Sequence, residues 1–360
     1  NPDNRPEEET SAAAPESSTP QSATSSALAT SEETTETATT ESEGPRATAE
    51  GHVVVLSTGG TIASTHDKTG AVVPTVTGSK LVEPLSDTFD KDKLTLEVKD
   101  IAKLDSSAMT LDDTDTIIEA VNKELQRDDV DGVVVTHGTD SMEETAIAVD
   151  TFQDSDKPVA LTGAMRPFDD PDPDGPDNLA LAVKTVTDPS NKGRGTFIAF
   201  ADHVIPARGA FKSDTAKADG FANNNGKKQP QRPKALKFKP LGNTRVDIIA
   251  AYPGAPADLI QRSLDSGAEG IVIEGMGAGN IGDELAQAAK AAAKKVPVVL
   301  TTRVDHGPVE GIYGGAGGGA TLADAGVISS GTLRAPQARM LLAAAITTGT
   351  DAEDLFAHAE

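Results

Sequence analysis

The chain has 360 residues, room for two domains of ordinary size, and a formal net charge of −24. Such acidity repels phosphate backbones and anionic lipid, which argues against nucleic-acid and membrane-surface partners, and no run approaches the roughly 20 apolar residues of a membrane span. Cysteine is absent, excluding disulfides and thiol nucleophiles, and six scattered histidines without an HExxH pattern argue against a catalytic metal.

Residues 1–50 consist mainly of Ser, Thr, Glu, Ala and Pro, with one leucine (Leu28) and no valine or aromatic. Such a stretch buries too little apolar surface to offset its ordering entropy and is predicted to be a disordered spacer. The chain begins at Asn1 with no methionine and no apolar leader, so an export signal has been removed or was never present. An acidic Ser/Thr spacer suits an exported protein better than a cytosolic tail, and an extracytoplasmic location (secreted, periplasmic or tethered to the cell surface) is expected.

From His52 onward, short β-branched runs alternate with helical patterns. Strands are predicted at 52–57, 94–101, 132–136, 158–162, 196–201, 246–251, 270–274 and 297–301. Helices are predicted at 114–127, 141–152, 176–186, 257–266, 283–294 and 336–348. Consecutive Val, Ile and Leu residues point to strands buried on both faces, hence an α/β fold with parallel sheets wrapped by helices. Residues 222–243 are polar, basic and broken by proline, and read as a linker. It divides the body into 51–221 and 244–360, each expected to be a doubly wound domain, with function gathered at the carboxyl ends of strands.

Several strand ends carry chemistry. The first runs into Ser57-Thr58-Gly59-Gly60-Thr61-Ile62-Ala63, where two glycines permit close backbone approach and leave the Thr61 hydroxyl at the sheet edge. The plainer alternative is a glycine turn with a helix-capping threonine. A second strand ends in Thr136-His137-Gly138-Thr139-Asp140-Ser141, followed by Met142-Glu143-Glu144-Thr145. Ser141 with Glu144 fits a capping box, and the acids complement a helix N-terminus. Thr139 and Asp140 exceed that need, and an acid there suits a substrate ammonium group. Lys212, in the segment Ala207–Thr215, is either a solvated surface charge or a base beside a threonine and a carboxylate. In the segment Asp105–Thr110, hydroxyls and N–H groups either hold a carboxylate or merely cap a helix.

Gly277-Ala278-Gly279-Asn280-Ile281-Gly282 matches GxGxxG between a strand and a helix. A dinucleotide site would want an acid at the end of the next strand, but that strand ends Leu300-Thr301-Thr302-Arg303. No cofactor is expected.

Taken together, Thr58–Ala63, Thr136–Thr145, Gly163-Ala164-Met165-Arg166-Pro167, Asp174-Gly175-Pro176-Asp177-Asn178, Ser330-Gly331-Thr332-Leu333 and Ala338-Arg339 resemble the bacterial L-asparaginase/glutaminase family, over residues 52–360. The resemblance implies a flavodoxin-like N-terminal domain and a smaller α/β C-terminal domain, assembled as a homotetramer of intimate dimers or as a dimer. It also implies cofactor-free hydrolysis of L-asparagine to aspartate and ammonia, with a broader glutaminase-asparaginase, or an exported amino-acid-binding protein without turnover, as the alternatives. Thr61 matches the nucleophile, and Thr139, Asp140 and Lys212 match a second, buried catalytic group. Ser106 and Ser107 match the segment that holds the substrate carboxylate, and Asp140 matches the acid that holds its ammonium. Gly60, Gly138 and Ala164 complete the implied substrate-binding set, the two glycine turns supplying N–H donors for an oxyanion.

The chain departs from the periplasmic members of that family. Their lid tyrosine aligns with Pro74, and the asparagine they lend across the subunit interface falls near Ala278. Their cross-subunit acid has no counterpart in the stretch Gly311–Gly319, where Tyr313 is the one side chain placed to compensate.

Overall fold

A computed structural model describes residues 49–226, 230–311 and 314–357. All but the last two residues of the acidic spacer, and Tyr313, lie outside that range.

The first domain opens with β1 (Gly51–Gly59), followed by the hairpin β2 (Ser64–His66) and β3 (Val72–Pro74) and by the short helix α1 (Gly78–Val82). Then come β4 (Leu94–Leu104), α2 (Leu111–Leu125), β5 (Gly132–Thr136), α3 (Met142–Phe152), β6 (Val159–Thr162), α4 (Gly175–Thr187), β7 (Thr196–Phe200) and β8 (His203–Pro206). Six of the strands form one sheet in the order β4-β1-β5-β6-β7-β8, parallel except for the antiparallel edge strand β8. The parallel strands therefore run 2-1-3-4-5 in chain order, the flavodoxin-like arrangement.

Alternation explains why these strands read as continuous apolar runs. Val54 and Leu56 face α2 and α3 on one side, with Ile117, Ile118 and Ile147. Val53 and Val55 face α1 and α4 on the other, with Leu81, Leu179 and Val183. Neighbouring residues of a strand point to opposite faces, and both faces are covered.

A second hairpin, β9 (Ala210–Lys212) with β10 (Phe221–Asn223), follows the sheet. Ala222 and Asn223, expected to begin the linker, belong to this hairpin instead. The Asn223 amide donates to Pro206 O at 2.8 Å and Arg208 O at 3.0 Å, a buried staple that polarity alone does not reveal. Farther on, the crossing segment is anchored as well. Phe238 meets Phe152 edge-on at 5.3 Å, and the N–H groups of Leu241 and Gly242 donate to the Asp115 carboxylate.

The second domain comprises β11 (Val246–Ala250), α5 (Asp258–Asp265), β12 (Gly270–Gly275), α6 (Asp283–Ala293), β13 (Val298–Thr302), α7 (Gly319–Asp324), β14 (Ile328–Ser329), α8 (Ala335–Thr348) and α9 (Ala352–Phe356). Its four strands are parallel and sequential. α5 and α6 cover one face of the sheet. α8 covers the other and packs against α3 of the first domain, so one apolar core joins the two sheets. That position explains the sequence of α8. A helix buried between two layers is apolar nearly all round, and its alanines allow close approach.

Candidate active site

The carboxyl ends of β1, β4 and β5 meet where the chain reverses its direction of winding across the sheet, the usual location of a ligand crevice in this class of fold. A cavity of about 220 Å³ opens there, lined by Gly60, Thr61, Ser64, Ser106, Gly138, Thr139 and Asp140, with Val72 and Pro74 of the overhanging hairpin.

β1 ends in two glycines with positive φ, +107° at Gly59 and +83° at Gly60. A Cβ on Gly60 would stand 2.4 Å from the Gly138 nitrogen, so the two loops touch backbone to backbone. Thr61 begins a single 3-10 turn, half-exposed, and the Ser64 hydroxyl donates to Gly60 O at 2.7 Å. Contrary to expectation, the Gly60 N–H is no oxyanion donor. It donates to Leu104 O at 3.2 Å, because contact with β4 continues past the end of the strand.

After β4, Asp105 caps a short turn, accepting from the Ser107 N–H at 2.9 Å and the Ser107 hydroxyl at 2.7 Å. This turns Ser107 outward and leaves Ser106 on the cavity, where its Oγ accepts the Asp140 N–H at 3.2 Å. Ser141 forms no capping box. Its hydroxyl donates to Ser106 O at 2.6 Å, which joins the β4 and β5 loops rather than capping α3.

Beyond β5, His137 is fully buried, with Nδ1 2.6 Å from Gly138 O and Nε2 2.8 Å from the Thr145 hydroxyl. Burial pushes its pKa down to about 4, so it is neutral and holds the loop's shape. Thr139 is buried, and the Lys212 ammonium donates to its Oγ1 at 2.8 Å and to Asp140 Oδ1 at 3.4 Å. The lysine side chain is only 20% exposed and that of Asp140 58%, which leaves the carboxylate at the rim. The residue missed from sequence is Glu143. Its Oε1 accepts the Lys212 backbone N–H at 3.1 Å, and burial pushes its pKa up to about 7. The acid-rich start of α3 was the available signal, but it reads equally well as dipole complementation.

Ala164 lies off the cavity, buried in the core between the sheet, α1 and α4. Its neighbours are structural too. The Asp174 carboxylate accepts the N–H groups of Met165 and Arg166, and Asn178 ties Gly163 O to the Ala201 N–H. The glycine-rich stretch 277–282 closes on itself through the Met276–Asn280 bridge, and α6 then begins with Asp283 and Glu284, an arrangement unsuited to a phosphate. A wider groove of about 900 Å³ lies along α2 beside Lys234 and Lys237, away from every threonine motif.

The model of the N-terminal asparaginase domain matches residues 52–233, and that of the glutaminase/asparaginase C-terminal domain matches residues 245–357. The chain belongs to the asparaginase family. L-asparaginase 2 of Bacillus subtilis (strain 168) is 32% identical over 333 residues, covering 85% of each chain. The probable periplasmic L-asparaginase of Haemophilus influenzae is 32% identical over 321 residues, 83% of this chain and 90% of that one. Among solved structures, the probable cytoplasmic L-asparaginase of Campylobacter jejuni superposes with a TM-score of 0.73 at 30% identity, covering 85% of this chain and 99% of that one.

Proposed function

We propose that this protein is an L-asparaginase, hydrolysing L-asparagine to L-aspartate and ammonia through an acyl-enzyme on threonine. The observation that carries the mechanism is the 2.8 Å contact between the Lys212 amine and the Thr139 hydroxyl, at a cavity shared with Thr61. A threonine hydroxyl is a weak nucleophile and needs an adjacent base. As Thr61 Oγ attacks the side-chain amide carbon, Lys212, once its own proton has been given up, accepts the threonine proton through Thr139. The C–N bond then breaks, ammonia leaves with a proton, and water hydrolyses the ester to release aspartate and restore Thr61. The Gly138 turn supplies an N–H to the oxyanion. Ser106 takes the substrate carboxylate, and Asp140, at the rim, takes its ammonium.

The test is ammonia release from L-asparagine and L-glutamine by the purified protein and by its Thr61→Ala and Thr139→Ala variants. Each variant is expected to stay folded and to lose at least about a hundredfold in kcat. Near-wild-type turnover in either would remove its threonine from the mechanism. The ratio of kcat/KM values separates an asparaginase from a broader glutaminase-asparaginase.

Pro74 on the cavity wall supports a second reading, because the resemblance implies a nucleophile-assisting tyrosine there. On that reading the protein binds asparagine without turnover, and asparagine raises Tm while no ammonia appears. We also propose a first domain that runs from 51 to the end of its second hairpin at Asn223 and a second domain of 244–360, an extracytoplasmic location, and a homodimer or homotetramer with sites near a subunit interface. The oligomer rests on the resemblance to the family alone. Light scattering of the purified protein tests it.

A further inference from the structure

We propose that Glu143 is a positioning residue for the reaction: its buried carboxylate ties the main chain of Lys212 to α3 and thereby sets the span between the lysine amine and Thr139. The inference rests on the catalytic reading of Lys212 given above.

The lysine sits at the end of a three-residue strand whose only sheet partner among the described residues is β10. Just past it, the hairpin bond is made by the Ser213 N–H to Gly220 O at 2.7 Å. The Lys212 N–H points the other way, to Glu143 Oε1 at 3.1 Å. Glu143 lies in the first turn of α3, on the same loop-and-helix unit as Thr139 and Asp140. The carboxylate thus joins the base-bearing strand to the hydroxyl-bearing loop. Gln337 of α8 braces the same joint, donating from Nε2 to Glu143 O at 3.0 Å and to Ala207 O at 2.7 Å, while its Oε1 accepts the Gly209 N–H at 2.8 Å.

Dipole complementation alone is served by a solvated acid. Glu143 is only 8% exposed, and a buried carboxylate is costly unless it has a specific partner. The charged groups around it are Lys212 on β9 and Glu144 on its own helix, with Arg339 of α8 acting on Glu144 and Asp140 acting on Lys212. Burial and Glu144 hold Glu143 protonated up to about pH 7, whereas Lys212 works in the opposite direction. Its ionisation therefore changes the charge beside the lysine near neutral pH, while either form still presents an oxygen to the Lys212 N–H.

The test measures kcat and KM for asparagine from about pH 5 to 9 on the full chain and on its Glu143→Ala, Glu143→Gln and Lys212→Met variants, with Tm and circular dichroism alongside. Glu143→Ala is expected to lower kcat about tenfold or more with KM within about threefold. Glu143→Gln, which keeps the volume and the carbonyl acceptor, recovers most of that loss but lacks the inflection of kcat near pH 7. If Glu143→Ala lowers only Tm and leaves kcat intact, the inference is overturned. Should that variant not fold, a loss of about tenfold or more in kcat in Glu143→Gln, which keeps the acceptor oxygen, overturns it equally. Wild-type turnover in Lys212→Met would instead bring down the underlying reading of the lysine, a separate result.

Discussion

Replacing Gly60 with alanine probes the backbone contact on which the cavity depends. The residue has φ +83° and ψ 179°, a region open in practice only to glycine, where another residue costs about 1–3 kcal/mol. The new Cβ would also lie 2.4 Å from the nitrogen and 2.5 Å from the Cα of Gly138. Main chain on both sides cannot rotate away, so overpacking adds about 1–3 kcal/mol. The two terms together give a loss of about 2–6 kcal/mol, or a Tm lower by roughly 5–20 °C for a domain of this size. Relief comes only by separating the loops that carry Thr61 and Thr139, and a misplacement of about 1 Å costs about a hundredfold in kcat. Gly70→Ala is the control. Its φ is +84°, yet nothing lies within 4 Å of the added atom, so it pays the backbone term alone, about 1–2 kcal/mol, and keeps its activity. The assay is a urea melt with ammonia release at saturating asparagine on both variants. If Gly60→Ala matches Gly70→Ala in both measurements, the loops are not in the contact described.

Acid should destabilise the protein through His137. Its folded pKa of about 4 lies below the ordinary 6.5, so the unfolded chain binds the proton more readily. Stability is therefore lost as pH falls from about 6.5 to 4, in total on the order of 3 kcal/mol, and urea midpoints of His137→Gln should vary less over that range. Gln337→Leu leaves the buried Gly209 N–H without its acceptor, while Ala207 O keeps the Ala210 N–H at 3.1 Å, and should cost about 1–3 kcal/mol in a urea melt. Asp169→Ala removes the partner of His66, whose ring nitrogen lies 3.0 Å away and whose backbone nitrogen lies 2.9 Å away, at the turn end of the hairpin bearing Pro74. Both side chains are partly solvated, so stability should change by under about 1 kcal/mol, while KM rises severalfold as the hairpin loosens.

Much of the scaffold was legible from residue pattern. Val53–Leu56 and Val133–Val135 declare strands buried on both faces, and all eight predicted strands and six predicted helices form, with ends moved by a few residues. Missing from that reading were β2, β3, β8, β9, β10 and β14, together with α1, α7 and α9. None exceeds six residues, too few for a hydrophobic period to declare itself.

At the site, the threonine, aspartate and lysine motifs stand out because their residue types exceed what turns and caps require. Their partners do not stand out, since a hydrogen bond between distant segments leaves no mark on local composition. Ser106 and Ser107 are adjacent and alike in type, yet Asp105 takes the hydroxyl of one and leaves the other on the cavity. Ala164 belongs to a shared motif, and its methyl group is buried in the core rather than on the cavity wall. By itself the sequence determined the layers, the strand ends and the reactive side chains, because burial and turn chemistry are local. Only the tertiary structure decided which of those side chains meet, because Lys212, Glu143 and Gln337 come together through packing between segments far apart in the chain.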